Sequence, residues 1–493
     1  MLFNSYQFLI FFPIVCLIYF VLPRKIRWIW LLVSSYFFYM CWNPLYAILI
    51  AVSTVLTYVC GRMVEKQPTV VRKKLAIALC LIVNLGILIY FKYTNFLIDS
   101  LNSILAGLGI NAVPTLDIIL PVGISFYTFQ AIGYTIDVYR GEIKAERNLF
   151  KYALFVSFFP QLVAGPIERS KNLLTQVIEE PNRKLWDYRR VTQGLITMVW
   201  GFFLKMVISD RVSIMVDSVF DHYEEYGLVG LGIGAIAFSL QIYTDFSGYS
   251  TIAIGAAKVL GFELMENFNT PFLSRTTSEL WRRWHISLSS WFRDYVYIPL
   301  GGNRKGKLRK YLNILITFLT SGLWHGADWT FIVWGGLNGL YQIIGDFLKP
   351  LKSRINDLFH TRTESAGYKV GQIIFTDFLF CFSFIFFRAE SLSKAFHYIS
   401  RMFLYRDWWS LFDGSVLLLG LDAKEMQILV ISVMTLLIVS LIKFFKNKSL
   451  SEFLDGQWLV FRWVVIIALI VACVVYGCYG PDFNSAQFIY FQF

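Results

Sequence analysis

The sequence predicts an all-α polytopic membrane protein with re-entrant and interfacial helices. Three observations lead there. Of 493 residues 56% are hydrophobic and only 16% charged, where a soluble domain carries about a quarter charged. Apolar runs of roughly 20 residues, enough to span a bilayer, recur almost end to end. Lys and Arg gather in the short stretches between these runs, as they do on the cytoplasmic side of membranes. Length alone would allow several soluble domains, but the apolar runs leave no room for one, so residues 1–493 are expected to form a single transmembrane domain.

In order, Tyr6–Leu22, Trp28–Met40, Leu45–Cys60, Leu75–Tyr93, Val191–Ile208, Leu228–Leu260, Tyr368–Phe387, Met426–Phe445 and Trp458–Gly477 read as spans. With the shorter segments between them, about ten to twelve crossings are expected, plus re-entrant and interfacial helices. Tyr6–Leu22 has no basic region ahead of it, and Arg24, Lys25 and Arg27 follow it. A cleaved signal peptide has the opposite order, so this helix should remain, with its N-terminus outside. Trp28–Met40 then leads outward, and Leu45–Cys60 returns after the Asn43-Pro44 breaker. Arg62–Lys74 is cytoplasmic again. Leu120–Phe126 and Phe159–Ile167 are apolar but too broken by proline and glycine for plain spans. Such backbone survives at membrane depth only when buried in protein or lining a cavity, which points to an interior chamber. Glu279–Pro299 sets Trp281, Trp284, His285, Leu288, Trp291 and Tyr295 at helical spacing with arginines between them. That mixture predicts a helix lying flat at headgroup level. The basic loop Lys443–Lys448 sends the last span outward and leaves the C-terminus outside.

The net charge is +12, but its confinement to short loops argues against nucleic acid and for lipid headgroups or an anionic cofactor as partners. The seven cysteines include no CxxC pair and no Cys/His cluster with zinc spacing, so no metal is expected.

His325 is the most informative residue. It lies in Ser321-Gly322-Leu323-Trp324-His325-Gly326, within an apolar stretch flanked by Arg304, Lys305, Lys307, Arg309 and Lys310 before and by Lys349, Lys352 and Arg354 after. Two cytoplasmic flanks imply a hairpin that enters the bilayer and returns. Fifteen residues of helix beyond Lys310 carry His325 about 22 Å inward. An ionisable group at that depth is read as functional by default. Burial disfavours the imidazolium, so the ring can act as a base on a hydroxyl during acyl transfer. Gly322 and Gly326 would admit a close approach of backbone or ligand. The competing reading is a packed histidine satisfied by Trp324 or Asp328, and the sequence leaves the two about even.

His285 is the second candidate, beside Arg282, Arg283 and Arg293, whose guanidinium forks suit the phosphates of an acyl carrier. Spacing alone favours an ordinary solvated histidine there. Tyr243-Thr244-Asp245-Phe246-Ser247-Gly248-Tyr249-Ser250 puts a carboxylate inside a long apolar helix. Asp245 must be paired at that depth, either orienting a histidine or holding a lysine or arginine, and a buried structural network is slightly favoured. His222, His360 and His397 fall near segment ends and read as solvated.

Together, Pro121–Arg140, Phe159–Ile167, Tyr243–Ser250, Trp281–Gly302 and Ser321–Gly326 resemble the membrane-bound O-acyltransferases. The nearest likeness is to the bacterial branch containing the membrane subunit of alginate O-acetylation. The resemblance implies a ring of tilted helices around a central tunnel, with a funnel from each face meeting near the essential histidine. It matches His325 to that histidine, His285 to the family's second histidine, and Asp245 to its polar Tyr-Thr-Asp position. Many relatives carry a further histidine where this chain has Asn338, so proton transfer at that position is not expected. The implied donor is a cytoplasmic thioester, most simply acetyl-CoA, with no permanently bound cofactor. The implied acceptor is a cell-envelope polysaccharide, and an extracytoplasmic SGNH-type transferase is the implied partner in a bacterial cytoplasmic membrane. Related acyl-export systems use a C-terminal tyrosine as a relay, which marks Tyr490, although an interfacial anchor is the more ordinary role for it. Two other readings stay open: D-alanyl export to teichoic acid from a carrier protein, and a proton-coupled transporter whose intramembrane His and Asp form a relay. The chain shows no sign of the inverted repeat common in transporters.

Overall fold

The computed structural model describes residues 1–163, 165–180 and 185–479. The elements in order are α1 (Tyr6–Val21), α2 (Arg27–Met40), α3 (Tyr46–Lys66), α4 (Val70–Gly107), α5 (Ile124–Tyr139), α6 (Leu149–Ser157), α7 (Phe159–Leu162), α8 (Thr175–Glu179), α9 (Tyr188–Phe202), α10 (Asp210–Asp221), α11 (Leu228–Leu260), α12 (Thr277–Arg283), α13 (Ile286–Phe292), α14 (Gly306–His325), α15 (Trp329–Phe347), α16 (Lys349–Leu358), α17 (Ala366–Arg388), α18 (Leu392–Leu404), α19 (Ala423–Lys446), α20 (Leu450–Asp455) and α21 (Leu459–Tyr476). No strand occurs among the described residues. Every span expected from the sequence is helical, and several begin at the residue types that satisfy orphan backbone donors. Ser5, Thr69, Ser365 and Asp422 each accept a bond from an N–H in the first turn of the helix that follows.

The helices around the early basic loop extend further than expected. α3 and α4 run through most of Arg62–Lys74 and leave only residues 67–69 outside a helix. Long basic side chains can lie along the helix and reach water at its ends, so charge there does not stop it. Seven helical stretches among the described residues are long and apolar enough to cross a bilayer, including the composite Tyr188–Asp221. α1 is apolar but shorter.

The residues group into two compact units: Met1–Met198 with Ser250–Met265, and Val199–Tyr249 with the chain from Glu266 onward. In the first unit the two broken segments are buried against each other. Gly123 adopts φ +74°, and a Cβ there would lie 2.8 Å from the Leu162 carbonyl oxygen. Gln161 Nε2 donates to Gln130 Oε1 at 2.9 Å and to the Phe155 carbonyl at 2.9 Å. The irregular backbone is thus satisfied inside the protein, as its depth requires.

In the second unit α9 passes into α10 through a π-helical stretch, Phe203–Ser209, against which α19 and α21 pack. At one end Lys443 pairs with Glu266 at 2.8 Å, and Arg283 lies over the Phe444 ring. At the other end Arg388 pairs with Asp217 at 2.8 Å, and the Leu228 N–H donates to the Tyr405 carbonyl. The α14–α15 pair is the hairpin expected around His325, closed at its base by Lys310 and Asp346 at 2.7 Å. The helices cross at glycines. A Cβ on Gly322 would sit 2.2 Å from the Phe331 carbonyl oxygen, and one on Gly335 would sit 2.4 Å from that of Phe318. Small residues are what allow helix backbones to come this close in a bilayer. The near contact at Gly322 and Gly326 therefore serves α15, whose Phe331 ring fills the space beside Gly326.

Gly322→Ala should lower stability by roughly 1–3 kcal/mol through overpacking at the crossing. Gly345→Ala, on the same hairpin but with open space around it, should not. Thermal unfolding of the two purified variants checks the difference.

Candidate active site

α14 is unbroken from Gly306 and ends on His325, so the sequence-derived rise of about 22 Å from Lys310 stands. The hairpin turn is set by Asp328, whose Oδ1 accepts from the Thr330 N–H at 2.8 Å. Asp328 therefore caps α15. His325 is 4% exposed. Its ring meets Trp324 at 5.0 Å, Trp334 at 5.0 Å and Phe387 at 5.5 Å between centroids, and each of these contacts is edge-to-face. α14, α15 and α17 thus each supply a wall.

His285 departs from the expected solvated helix. The stretch from Thr277 to Phe292 is two short helices, with Trp284 and His285 in the break between them. His285 sits at φ +43°, a left-handed conformation uncommon outside glycine. The break is held by backbone pairing: the Asn269 N–H donates to the Arg283 carbonyl, and the Ile286 N–H to the Asn267 carbonyl, both at 2.9 Å. The kink turns His285 out of the interfacial face and into the protein, where it is fully buried. Its ring lies 4.5 Å from Phe246 and 6.1 Å from His325. Costly backbone conformations persist where the surroundings over-determine them, and they concentrate at functional sites. Sequence periodicity could not reveal this, since the tertiary pairing of the 267–269 segment makes the break.

The arginines divide. Arg283 is occupied: its guanidinium meets Glu279 at 2.9 Å, the Asn269 carbonyl at 3.2 Å and the Thr270 hydroxyl at 3.1 Å. Arg282 remains exposed. Asn338, on the inward face of α15, spends its Nδ2 on the Trp334 carbonyl at 2.9 Å and on Ser383 Oγ at 3.2 Å. Tyr490 lies outside the described residues.

Asp245 has the partner its depth demands, and sequence reading missed that partner. Lys205, in the π-helical stretch, places Nζ 2.5 Å from Asp245 Oδ1 and 2.8 Å from Asp210 Oδ1. All three residues are almost fully buried. A π-bulge shifts side-chain direction within a continuous helix and is often found at functional sites. Gly248 allows α11 to approach, since a Cβ there would lie 3.0 Å from the Lys205 nitrogen. The signal was present: Lys205 is a lysine inside an expected span, and such a residue calls for a named partner. The triad also fixes the neighbouring position on α11, where Phe246 bears on His285.

Residues 142–387 match the model of the membrane-bound O-acyltransferase family. Over its whole length the chain is similar to a probable alginate O-acetylase AlgI of Pseudomonas putida, at 37% identity with all of both chains covered. It is similar to a peptidoglycan O-acetyltransferase of Helicobacter pylori at 34% identity, over 80% of this chain and 78% of the relative. Similarity to a teichoic acid D-alanyltransferase of Streptococcus thermophilus is 31%, over 48% of this chain and 59% of that one.

Lys205→Met would leave two carboxylates buried together without their cation. Breaking a buried ion pair by removing one partner costs about 3–5 kcal/mol, so the variant should unfold at markedly lower temperature. Lys205→Met combined with Asp210→Asn and Asp245→Asn should recover much of the loss in the same measurement.

Proposed function

This chain belongs to the membrane-bound O-acyltransferase family, and we propose that it transfers an acetyl group at His325, with His285 beside it. It is a multi-pass membrane acyltransferase that serves O-acetylation of a cell-envelope polysaccharide. One observation carries the site assignment: two histidine rings 6.1 Å apart, both buried, at the inner end of the one helix that rises from the basic loop.

In the proposed step a hydroxyl gives its proton to His325 as its oxygen attacks the thioester carbonyl. The carbonyl carbon then releases the thiolate, which takes the proton back, so an alcohol and a thioester become an ester and a thiol. An imidazole, whose ordinary titration lies near neutrality, suits both transfers. Holding the two reactants at one place supplies much of the advantage.

Acetyl-CoA is the proposed donor, entering at the basic loop end, with the exposed Arg282, Arg304, Lys305, Lys307 and Arg309 available to its phosphates. The acceptor side is assigned to the opposite end. Phe387, which packs on His325, is followed by Arg388, and Arg388 lines a small cavity of about 90 Å³ with Asp221, Tyr223 and Glu390. Basic loops on the cytoplasmic side would leave both termini outside. In this reading two funnels meet at His325, and an extracytoplasmic SGNH-type transferase takes the acetyl group onward, with Tyr490 as a relay. D-alanyl export is the lesser reading, since that similarity covers about half of the chain while the acetylase similarity covers all of it.

His325→Ala should abolish acetylation of the surface glycan, read by mass spectrometry, while the protein still inserts at wild-type level. Normal acetylation in that variant would remove His325 from the chemistry. Tyr490→Phe should reduce acetylation if the relay operates, and unchanged export would dismiss the relay alone.

A further inference from the structure

The histidines leave one requirement of this reaction unmet. When the hydroxyl oxygen bonds to the thioester carbon, the carbonyl π pair moves onto the carbonyl oxygen. That oxyanion needs a donor already in place, because a water-excluded site offers no solvent to stabilise it. The side chains around His325 can be taken in turn. Asp328 is acceptor-only when ionised and is engaged in capping α15. Asn338 has both of its amide contacts inside the protein. Phe331 and Phe387 have nothing to donate, and Trp324, the other indole against His325, is divided between that ring at 5.0 Å and the His285 ring at 5.9 Å.

Trp334 differs. It lies one turn before Asn338 on the same face of α15 and is 1% exposed. Its ring stands 5.0 Å from that of His325 and almost perpendicular to it, at 83°. Its Nε1–H is buried and has no hydrogen-bond partner among the described residues. A buried tryptophan usually finds a partner for this group, and an unsatisfied buried donor calls for an explanation such as a catalytic role. Trp281 also has an unpartnered N–H, but its ring neighbours are Phe318, Trp334 and Phe380 rather than a histidine. The Trp334 indole is also fixed in place. Phe384 and Phe387 flank it, and the next residue, Gly335, is the point where α15 crosses α14. A donor held this rigidly costs no reorganisation when charge develops.

We propose that the Trp334 Nε1–H binds the thioester carbonyl oxygen and stabilises it as it becomes an oxyanion. This rests on His325 being the base. The C–O bond forms as the hydroxyl proton passes to His325. The extra pair resides on the oxygen bonded to Trp334, then returns to re-form the carbonyl as the C–S bond breaks and the thiolate takes the proton.

The test compares Trp334→Phe with replacement of Trp334 by 3-benzothienylalanine, which keeps the bicyclic shape and puts sulfur where the N–H was. Both are made in the full chain in native membranes, with acetyl transfer from acetyl-CoA, donor KM and thermal midpoint as readouts. The expected result is a fall in kcat of about 10²-fold or more, as for loss of one oxyanion donor. Donor KM should stay within about threefold, because the bond strengthens only as charge develops. The thermal midpoint of the benzothienyl variant should not fall, since the removed N–H has no partner among the described residues. The assignment is overturned if kcat of the benzothienyl variant stays within about threefold of wild type, if the loss appears in KM instead, or if its midpoint drops together with kcat. His325→Ala in the same assay separates the two levels. Activity in His325→Ala refutes the base, whereas an inactive His325→Ala beside a fully active benzothienyl variant refutes Trp334 alone.

Discussion

The close crossing of α14 and α15 is the constraint on which the site depends. Gly322 and Gly335 have no side chains to hold the helices apart, and backbone atoms of each helix occupy the space a Cβ on the other would fill. Apolar side chains gain little by leaving lipid for one another, so association in a bilayer relies on packing of this kind. The consequence is positional. With the crossing fixed, His325 at the end of α14 must face Trp334 on α15, and α17 closes the third side with Phe384 and Phe387. His285 completes the group because a left-handed break delivers it there.

The second unit handles polarity at depth in two contrasting ways. Lys205, Asp210 and Asp245 meet one another at 2.5–2.8 Å. Removing one member exposes the others to a low-dielectric interior, so the triad is costly to disturb. The histidines are enclosed by tryptophan and phenylalanine rings instead. The triad thus fixes α11 against the π-helical stretch. Phe246 joins the two regions, being next to Asp245 in sequence and against His285 in space.

Much of this was legible in the sequence because it is local. Span after span followed from apolar length, the hairpin around His325 followed from its basic flanks, and the demand that Asp245 be paired followed from its depth. What was not legible depends on partners distant in the chain. Lys205 lies forty residues before Asp245, and only a π-bulge turns it toward α11. Helical spacing placed His285 on an interfacial face, and spacing cannot register a break imposed by the Asn267 and Asn269 backbone. Proximity made Asp328 one candidate partner for His325, and the structure adds a role that proximity did not suggest. Three residues from His325, it was an obvious partner, yet the chain must turn there, and the orphan N–H of Thr330 claims the carboxylate first.

The same geometry distinguishes acyl transfer from a proton relay built of the same residue types. A relay requires groups that load and unload a proton in succession, linked by hydrogen bonds or water. Lys205 is clamped between two carboxylates at 2.5 and 2.8 Å. The His325 ring is met edge-to-face by Trp324, Trp334 and Phe387. Asn338, where a further titratable ring would have extended a chain of carriers, is engaged with backbone and Ser383 and holds α15 to α17. Polar groups at bilayer depth are retained only with a use or a partner. Here Lys205, Asp210 and Asp245 are partners for one another within the fold.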